Sequence, residues 1–228
     1  MLFEFDSLKE QKARIRVIGV GGAGSNAIDR MVDSELSGVE FIAVNTDAQA
    51  LDHSKADVKI QIGKTITKGL GAGAKLHVGE AAAEEDAQAI AAALEGSDLV
   101  FITAGMGGGT GTGAAPVVAR ISKEIGALTI GIITTPFRFE GPPRAKRGQE
   151  GTENLRKYLD TLIVIPNQRL LSIVDKNTSM VDAFLEADSV LHQATRGISD
   201  LINVHGLINL DYADVKTVME GMGDAIMG

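Results

Sequence analysis

The sequence has 228 residues, 44% of them hydrophobic and 23% charged, which are the proportions of a globular protein with a sizeable core. Its 30 acidic residues against 22 basic ones give a net charge of −8, which opposes binding to nucleic-acid phosphates or anionic lipid. The absence of cysteine excludes disulfides, cysteine nucleophiles and zinc–thiolate sites, and because the four histidines lack ligand spacing we expect no dedicated transition-metal site.

The N-terminal extension, residues 1–13, is charged and lacks the uninterrupted apolar run of a targeting signal. Residues 99–119 carry no charge, but they contain six glycines and a proline. This segment therefore predicts a buried strand, a loop and a helix start rather than a membrane span. We expect a cytoplasmic protein with no direct membrane insertion and no nucleic-acid partner.

Short β-branched segments alternate with longer helical segments, which predicts an α/β fold with a doubly wound, mainly parallel sheet. The predicted strands are Arg14–Val20, Glu40–Asn45, Val58–Ile62, Asp98–Thr103, Leu128–Thr134 and Thr161–Ile165. The predicted helices lie near Ser25–Leu36, His77–Leu94, Gly113–Ile125 and Arg144–Leu159. No linker-like stretch interrupts this pattern, so we expect one domain over residues 14–178.

A long helix follows this domain. Ser179 and Asp182 form a capping box, and apolar residues at helical spacing continue to Gly206, a typical helix stop. About 25 residues span ~37 Å, a length typical of a spine between two domains. A loop at Leu207–Tyr212 and a helix at Ala213–Met222 come next, and we expect the sequence to end before a second domain.

The first predicted strand leads into a glycine-rich turn. Gly19, Gly21 and Gly24 satisfy the G-x-G-x-x-G dinucleotide fingerprint, with Asp47 at a suitable distance along the chain. An NAD-dependent oxidoreductase with Asp47 on the ribose is therefore one hypothesis. A tight turn that needs glycine for packing is the structural alternative.

Two further glycine-rich loops argue for a different nucleotide site. Gly69–Ala74 is weak evidence because, taken alone, it is better explained as a flexible turn, but the loop after the fourth strand is not so easily explained. Residues 107–113 comprise five glycines and two threonines directly before a helix, although glycine costs about 0.5–1 kcal/mol more backbone entropy than alanine. Backbone amides and hydroxyls in that arrangement are typical of a phosphate-chain site.

These loops together resemble the tubulin/FtsZ family of GTPases. Gly105–Gly113 is similar to the family signature GGGTG[ST]G, which is highly specific. Further similar segments are 21–26, 45–47, 69–73, 135–141 with Arg144, and 206–214. The resemblance implies a GTP-binding domain at 14–178, a central helix at 179–205, and a catalytic loop and helix start at 206–228. The family's second domain and C-terminal tail have no counterpart here.

The resemblance implies a site for GTP or GDP, with Mg²⁺ held mainly through phosphates and water. The implied phosphate contacts are Gly21, Gly22, Asn26, Gly71, Ala72, Gly73, Gly105, Gly107, Gly108, Gly109, Thr110 and Gly111. Glu140 and Arg144 match sugar contacts, although a surface ion pair is their structural alternative. Asn167, Phe184 and Asp188 match base contacts. Because Phe184 and Asp188 are spaced i,i+4, they share one helix face, where a core Phe beside a solvated Asp is the alternative.

Asn209, Asp211 and Asp214 match the family's catalytic loop, although two acids at a helix start also fit capping. The resemblance implies head-to-tail assembly with further copies of the chain, each pocket being completed by the next subunit's loop. It also implies a place in the division ring at mid-cell, with other division proteins and membrane tethers bound through the C-terminal region. A GTP-binding module that caps a filament without turnover remains an alternative.

Overall fold

The computed structural model describes residues 13–172, 179–203 and 212–225, and it contains one sheet of seven parallel strands. The strand order is β3-β2-β1-β4-β5-β6-β7. The strands are β1 Ile15–Val20, β2 Val39–Asn45, β3 Val58–Gln61, β4 Leu99–Gly105, β5 Leu128–Thr135, β6 Thr161–Pro166 and β7 Gly223–Ala225. The predicted α/β class and parallel sheet are confirmed.

The central strands are buried on both faces, which explains why the sequence predicts them so well. On β1, Ile18 and Val20 belong to one core, while Ile15 and Val17 belong to the other. Parallel strands buried in this way are almost continuously apolar. All six predicted strands are present with ends shifted by one or two residues, but β7 was not predicted because three residues carry no periodic signal.

Helices cover both faces of the sheet. They are α1 Gly21–Asp33, α2 Ala48–His53, α3 Lys64–Thr67, α4 Leu76–Glu85, α5 Ala87–Leu94, α6 Thr110–Glu124, α7 Pro142–Arg156, α8 Asn167–Leu170, α9 Met180–Asn203 and α10 Tyr212–Met219. Helices α4 to α7 pack on one core, and α1, α2, α8 and α9 pack on the other. Within the described ranges, no helix combines the length and the apolar composition that crossing a membrane requires.

The predicted helix His77–Leu94 is wrong as a single element, because it is divided into α4 and α5 at Asp86. The Asp86 carboxylate accepts a hydrogen bond from Gly63 N (2.7 Å), and Glu85 accepts one from Thr65 N (3.0 Å). These bonds hold the two acids against Gly63 and the first turn of α3. The helix at Ala213–Met222 is also too long in the prediction, since α10 ends at Met219.

The long helix α9 begins where the sequence predicts. Ser179 Oγ accepts a hydrogen bond from Asp182 N (3.1 Å) and donates one to Asp182 Oδ2 (2.7 Å), so this pair caps the first turn. The helix has 24 residues and a length of about 36 Å. It packs along α1, and it carries Phe184 and Asp188 in its first half.

Candidate nucleotide site

The predicted phosphate residues converge at the carboxyl edge of the sheet. The strand order changes direction between β1 and β4, whose following helices, α1 and α6, lie on opposite faces. Ligands of doubly wound proteins bind in the crevice that opens outside the strand ends at such a switch point. The loops after β1 and β4 both end at this crevice.

Helices α1 and α6 both present uncapped N-termini there. Each begins without a side-chain hydrogen bond to its first turn and without an acidic residue in that turn. The two ends also lie close together, because a Cβ on Gly21 would lie 2.7 Å from the backbone N of Gly111. Two unsatisfied sets of backbone N–H groups and two positive helix ends therefore face one space, which favours an anion.

The weakly predicted loop Gly69–Ala74 joins the same site. A Cβ on Gly109 would lie 3.0 Å from the backbone N of Ala74 and 2.9 Å from the Ala72 side chain. Gly71 and Gly73 adopt positive φ values (84° and 57°), so the loop needs glycine to turn toward the crevice. Thr46, which sequence reasoning missed, ties β2 to α6 through a 2.6 Å hydrogen bond between its hydroxyl and that of Thr110.

The glycines of the site divide into two groups. Gly19 and Gly24 are required by packing, because a Cβ on Gly19 would overlap Gly24 O, and a Cβ on Gly24 would lie 2.6 Å from Thr103 O. Gly22 and Gly108 differ, because each would carry a Cβ in open space and neither has a positive φ. Neither protein packing nor backbone conformation therefore requires glycine at these two positions.

Gly105 and Gly107 hold the loop after β4 against its neighbours. A Cβ on Gly105 would lie 2.6 Å from that of Ala23, and one on Gly107 would lie 2.8 Å from Arg144 O. Gly107 N donates to Thr112 Oγ1 (2.8 Å), and Gly107 O accepts from Arg147 Nε (3.0 Å). Close packing therefore fixes the path of this loop.

Glu140 and Arg144 form the ion pair that was their structural alternative in the sequence. Arg144 Nε lies 2.8 Å from Glu140 Oε2, and Phe137 N donates to Glu140 Oε1 (2.8 Å). The Glu140 side chain is only 8% exposed, whereas Arg144 is half exposed beside Gly107. A sugar contact by this pair stays a prediction.

The predicted base residues lie on α8 and α9. Phe184 is 37% exposed and contacts Phe137 edge to face, with ring centroids 5.2 Å apart. Asn167 is buried, and its Oδ1 has no hydrogen-bond partner in the described part of the chain. Buried amide oxygens are nearly always hydrogen-bonded, so an orphan of this kind is consistent with a missing ligand.

Asp188 is 9% exposed, so the alternative of a solvated carboxylate is wrong. Burial raises its pKa to about 6, against the opposing effect of Arg30, whose Nε lies 3.4 Å from Asp188 Oδ2. Sequence reasoning missed Arg30, although it stands one helical turn after the predicted contact Asn26. Asn26 itself is exposed on α1.

Of the three predicted catalytic residues, the structure describes only Asp214, and it lies away from this site. Asn209 and Asp211 lie outside the described residues, and Asp214 lies on α10. Helix α10 packs at the amino edge of the sheet, where the Tyr212 hydroxyl donates to Asp98 O (2.7 Å) and the Thr161 hydroxyl donates to Met219 O (2.7 Å). Strands of six or seven residues separate the two edges by about 20 Å.

The described residues contain no cluster of three or more His, Asp or Glu that could hold a metal ion. Mg²⁺ in nucleotide sites often keeps several waters and is held through substrate phosphates with few protein ligands. The donor set here, which is mainly backbone amides, fits such an ion only as a partner of bound phosphates.

Comparison with known proteins decides the family. The model of the GTPase domain of the tubulin/FtsZ family matches residues 14–175. The chain belongs to the tubulin/FtsZ family. Solved structures of this family show the same fold, and among them is the FtsZ dimer of M. jannaschii, described as empty, with 53% sequence identity and a TM-score of 0.92. That match covers 95% of this chain and 63% of the FtsZ chain.

A mutant of the same FtsZ gives 53% identity and a TM-score of 0.92, over 96% of this chain and 66% of that one. This sequence thus spans less than two thirds of those FtsZ chains. The GTPγS-bound protofilament of CetZ2 from Haloferax volcanii has 21% identity and a TM-score of 0.80, over 93% of this chain and 64% of that chain. At that identity the likeness concerns the fold alone.

Proposed function

We propose that the chain binds GTP and GDP at the carboxyl edge of the sheet, with the phosphates on the loops at 21–22, 71–73 and 105–111. The observation that carries this proposal is the pair Gly22 and Gly108, where glycine serves neither packing nor backbone conformation. A ligand that approaches the backbone closely explains both. The two uncapped helix ends beside them supply the positive potential that a di- or triphosphate needs.

Guanine is the base we propose. Its N1–H and 2-amino group are two adjacent donors, which an ionised carboxylate at Asp188 accepts, whereas adenine lacks that pair. Phe184 offers an exposed aromatic face for stacking on the same helix, and the Asn167 Oδ1 is a buried acceptor without a partner in the described residues. Glu140 and Arg144 would lie on the sugar side.

We also propose that hydrolysis occurs between two copies of the chain. Asp214 lies on α10 at the amino edge of the sheet, about one strand length (~20 Å) from the carboxyl edge that carries the glycine loops, so head-to-tail stacking would bring its carboxylate toward the pocket of the next copy. Asn209, Asp211 and Asp214 of one copy would then orient the attacking water at the γ-phosphate in the next. Mg²⁺ bound through the phosphates would supply neutralisation of the developing charge.

In the cell, this proposal describes a cytoplasmic cytoskeletal GTPase that polymerises with itself at the mid-cell division ring. Other division proteins and membrane tethers would be its further partners. Family membership and an FtsZ relative that is described as a dimer support the proposal. A chain that binds GTP and caps a filament without turnover is the competing proposal.

The NAD hypothesis finds no support in the site. Asp47, the residue it needs on the ribose, caps α2 by accepting hydrogen bonds from Gln49 N (3.0 Å) and Ala50 N (3.1 Å). A competition assay tests the choice: a fluorescent GDP analogue bound to the chain is challenged with GTP, ATP or NAD. We expect displacement by GTP alone at low concentration, and equal displacement by NAD would overturn the proposal.

A further inference from the structure

Arg30 and Asp188 connect two helices at the edge of the proposed base pocket. Arg30 lies near the end of α1, Asp188 lies in the first half of α9, and these helices pack against each other. Their contact joins one guanidinium nitrogen to one carboxylate oxygen at 3.4 Å. Strong charge-assisted hydrogen bonds are shorter, at about 2.7–2.9 Å, and an Arg–carboxylate pair often forms two of them. The Asp188 carboxylate is therefore oriented by Arg30 without being fully engaged.

Guanine recognition requires this carboxylate to be charged. A protonated carboxyl carries its own O–H donor, which would face one of the two donors of guanine, so one hydrogen bond would be replaced by a repulsive contact. Burial works against the charged form, since it raises the pKa of Asp188 to about 6. The positive charge of Arg30 is the opposing influence.

We propose that Arg30 is a positioning residue for guanine specificity, which orients the Asp188 carboxylate and keeps it ionised in the empty pocket. Arg30 acts through Asp188 and not through the base. The idea rests on the proposed function, because it assumes that Asp188 contacts guanine. It assigns a role in nucleotide choice to a side chain outside the glycine loops and outside the base contacts predicted from the sequence.

The charged and titratable neighbours of Asp188 decide how the idea is tested. Helix α1 contributes Arg30, and α8, which packs against α9, carries the buried, neutral Asn167 and the exposed, charged Arg169. On α9 itself, Phe184 and His192 stand one turn before and one turn after Asp188. Because histidine also titrates near pH 6.5, its contribution must be separated from that of the carboxylate.

The experiment measures the affinity for GDP from pH 5 to 8 by displacement of a fluorescent GDP analogue. The Asp188→Asn variant supplies the baseline, because it retains the ionisation of the nucleotide phosphates and of His192 but has no carboxylate. Relative to this baseline, we expect wild-type affinity to be constant above about pH 7 and to fall below about pH 6, by up to tenfold per pH unit.

We call the pH below which the GDP affinity falls the break. Arg30→Gln should move this break to higher pH by about one unit and should weaken GDP binding at pH 7 several-fold. Arg30→Lys keeps the positive charge and should restore most of the wild-type profile. Arg120→Gln is the matched control, since Arg120 pairs with Glu84 and Glu124 on the surface away from the site. Arg120→Gln should leave both the break and the GDP affinity unchanged. His192→Gln should leave the break unchanged.

Combining the Arg30 and Asp188 substitutions in one chain separates a positioning role of Arg30 from a general effect on the structure. In the Asp188→Asn background, Arg30→Gln should weaken GDP binding no further. An unchanged break in Arg30→Gln, or an equal loss of affinity in both backgrounds, would overturn the role of Arg30. Failure of the proposed function looks different: the wild-type chain would not bind GDP, or Asp188→Asn would bind it as tightly as the wild type.

Discussion

The two halves of the proposed nucleotide site are built on different principles. The phosphate half consists of backbone amides, helix ends and glycines from three glycine-rich loops, and its geometry is fixed by packing such as that of Gly107 against Arg144. The base half consists of side chains from α1, α8 and α9, which are distant in sequence. One half would recognise charge, whatever base is attached, and the other would recognise the base.

The difference appears in how each half tolerates an empty site. Uncapped helix ends can be hydrated, so the phosphate half bears little cost without ligand. The base half buries a carboxylate with a raised pKa and an amide oxygen without a partner in the described residues, which destabilises the empty protein. We therefore expect the residues that recognise the base to lower the stability of the nucleotide-free protein, whereas the residues that recognise the phosphates should not.

The largest expected effect comes from the base half. Asp188→Asn should weaken GDP binding about 100-fold, because an amide NH₂ would face a guanine donor and a charged acceptor would be lost. The same change should raise the free energy of unfolding of the nucleotide-free protein at pH 7 by about 1–3 kcal/mol, since it removes a buried carboxylate whose pKa lies about two units above its ordinary value.

For Asp188 the sign of the pH dependence follows from the raised pKa. The neutral form is favoured in the folded state, so the stability difference between the Asn variant and the wild type should shrink as the pH falls from 7 to 4. Urea unfolding at both pH values measures it. If Asp188→Asn is less stable than the wild type at pH 7, Arg30 fully compensates the cost of burying the Asp188 charge.

A smaller effect is expected in the phosphate half. Gly108→Ser should weaken GDP binding about tenfold by placing a side chain among the amides, and the loss should be the same for any nucleoside diphosphate that binds. Gly197→Ser is the matched control, because Gly197 also has open space at its Cβ and no positive φ but lies on α9. Normal GDP affinity in Gly108→Ser would contradict the phosphate assignment of its loop.

The smallest expected effect concerns the support beneath that loop. Thr46→Val removes the 2.6 Å hydrogen bond to the Thr110 hydroxyl and should lower the free energy of unfolding by about 1 kcal/mol. GDP affinity should fall only two- to threefold, since the backbone amides remain in place. Thr46→Ser, which retains the hydroxyl, should lose less stability and less GDP affinity than Thr46→Val. Urea unfolding and titration with GDP measure these two quantities for both variants.

The phosphate half could be predicted from the sequence because each of its loops is a short, continuous segment of the chain. A strand buried on both faces is an apolar run, and a glycine loop before a helix is a local pattern, so the sequence alone predicts the loops at 21–22 and 105–111. Helix α1 nevertheless begins at Gly21, four residues before the predicted start, because glycine gives no helical signal.

The base half could be predicted only in part. The i,i+4 spacing of Phe184 and Asp188 predicted a shared face, but Arg30 lies more than 150 positions away and becomes its neighbour only when α1 packs on α9. Glu85 and Asp86 likewise accept hydrogen bonds from Thr65 N and Gly63 N, which are about 20 positions away, at the start of α3. Contacts between distant elements carry no periodic signal.

The central claim is that nucleotide is bound by one copy and hydrolysed with the help of the next. Its most direct test mixes two variants at a GTP concentration that fills the wild-type pocket but leaves a pocket of about 100-fold lower affinity nearly empty. These variants are Asp188→Asn, which is expected to have such a pocket, and Asp211→Ala, which lacks the proposed catalytic carboxylate. Each alone should show little GTP turnover, and an equal mixture should recover about a quarter of the wild-type rate by random head-to-tail pairing. A mixture as inactive as its parts, beside a wild-type chain whose rate per chain rises with concentration, would contradict catalysis between copies. Tight GTP binding by the wild type with a negligible rate at every concentration would instead identify a binding module without turnover.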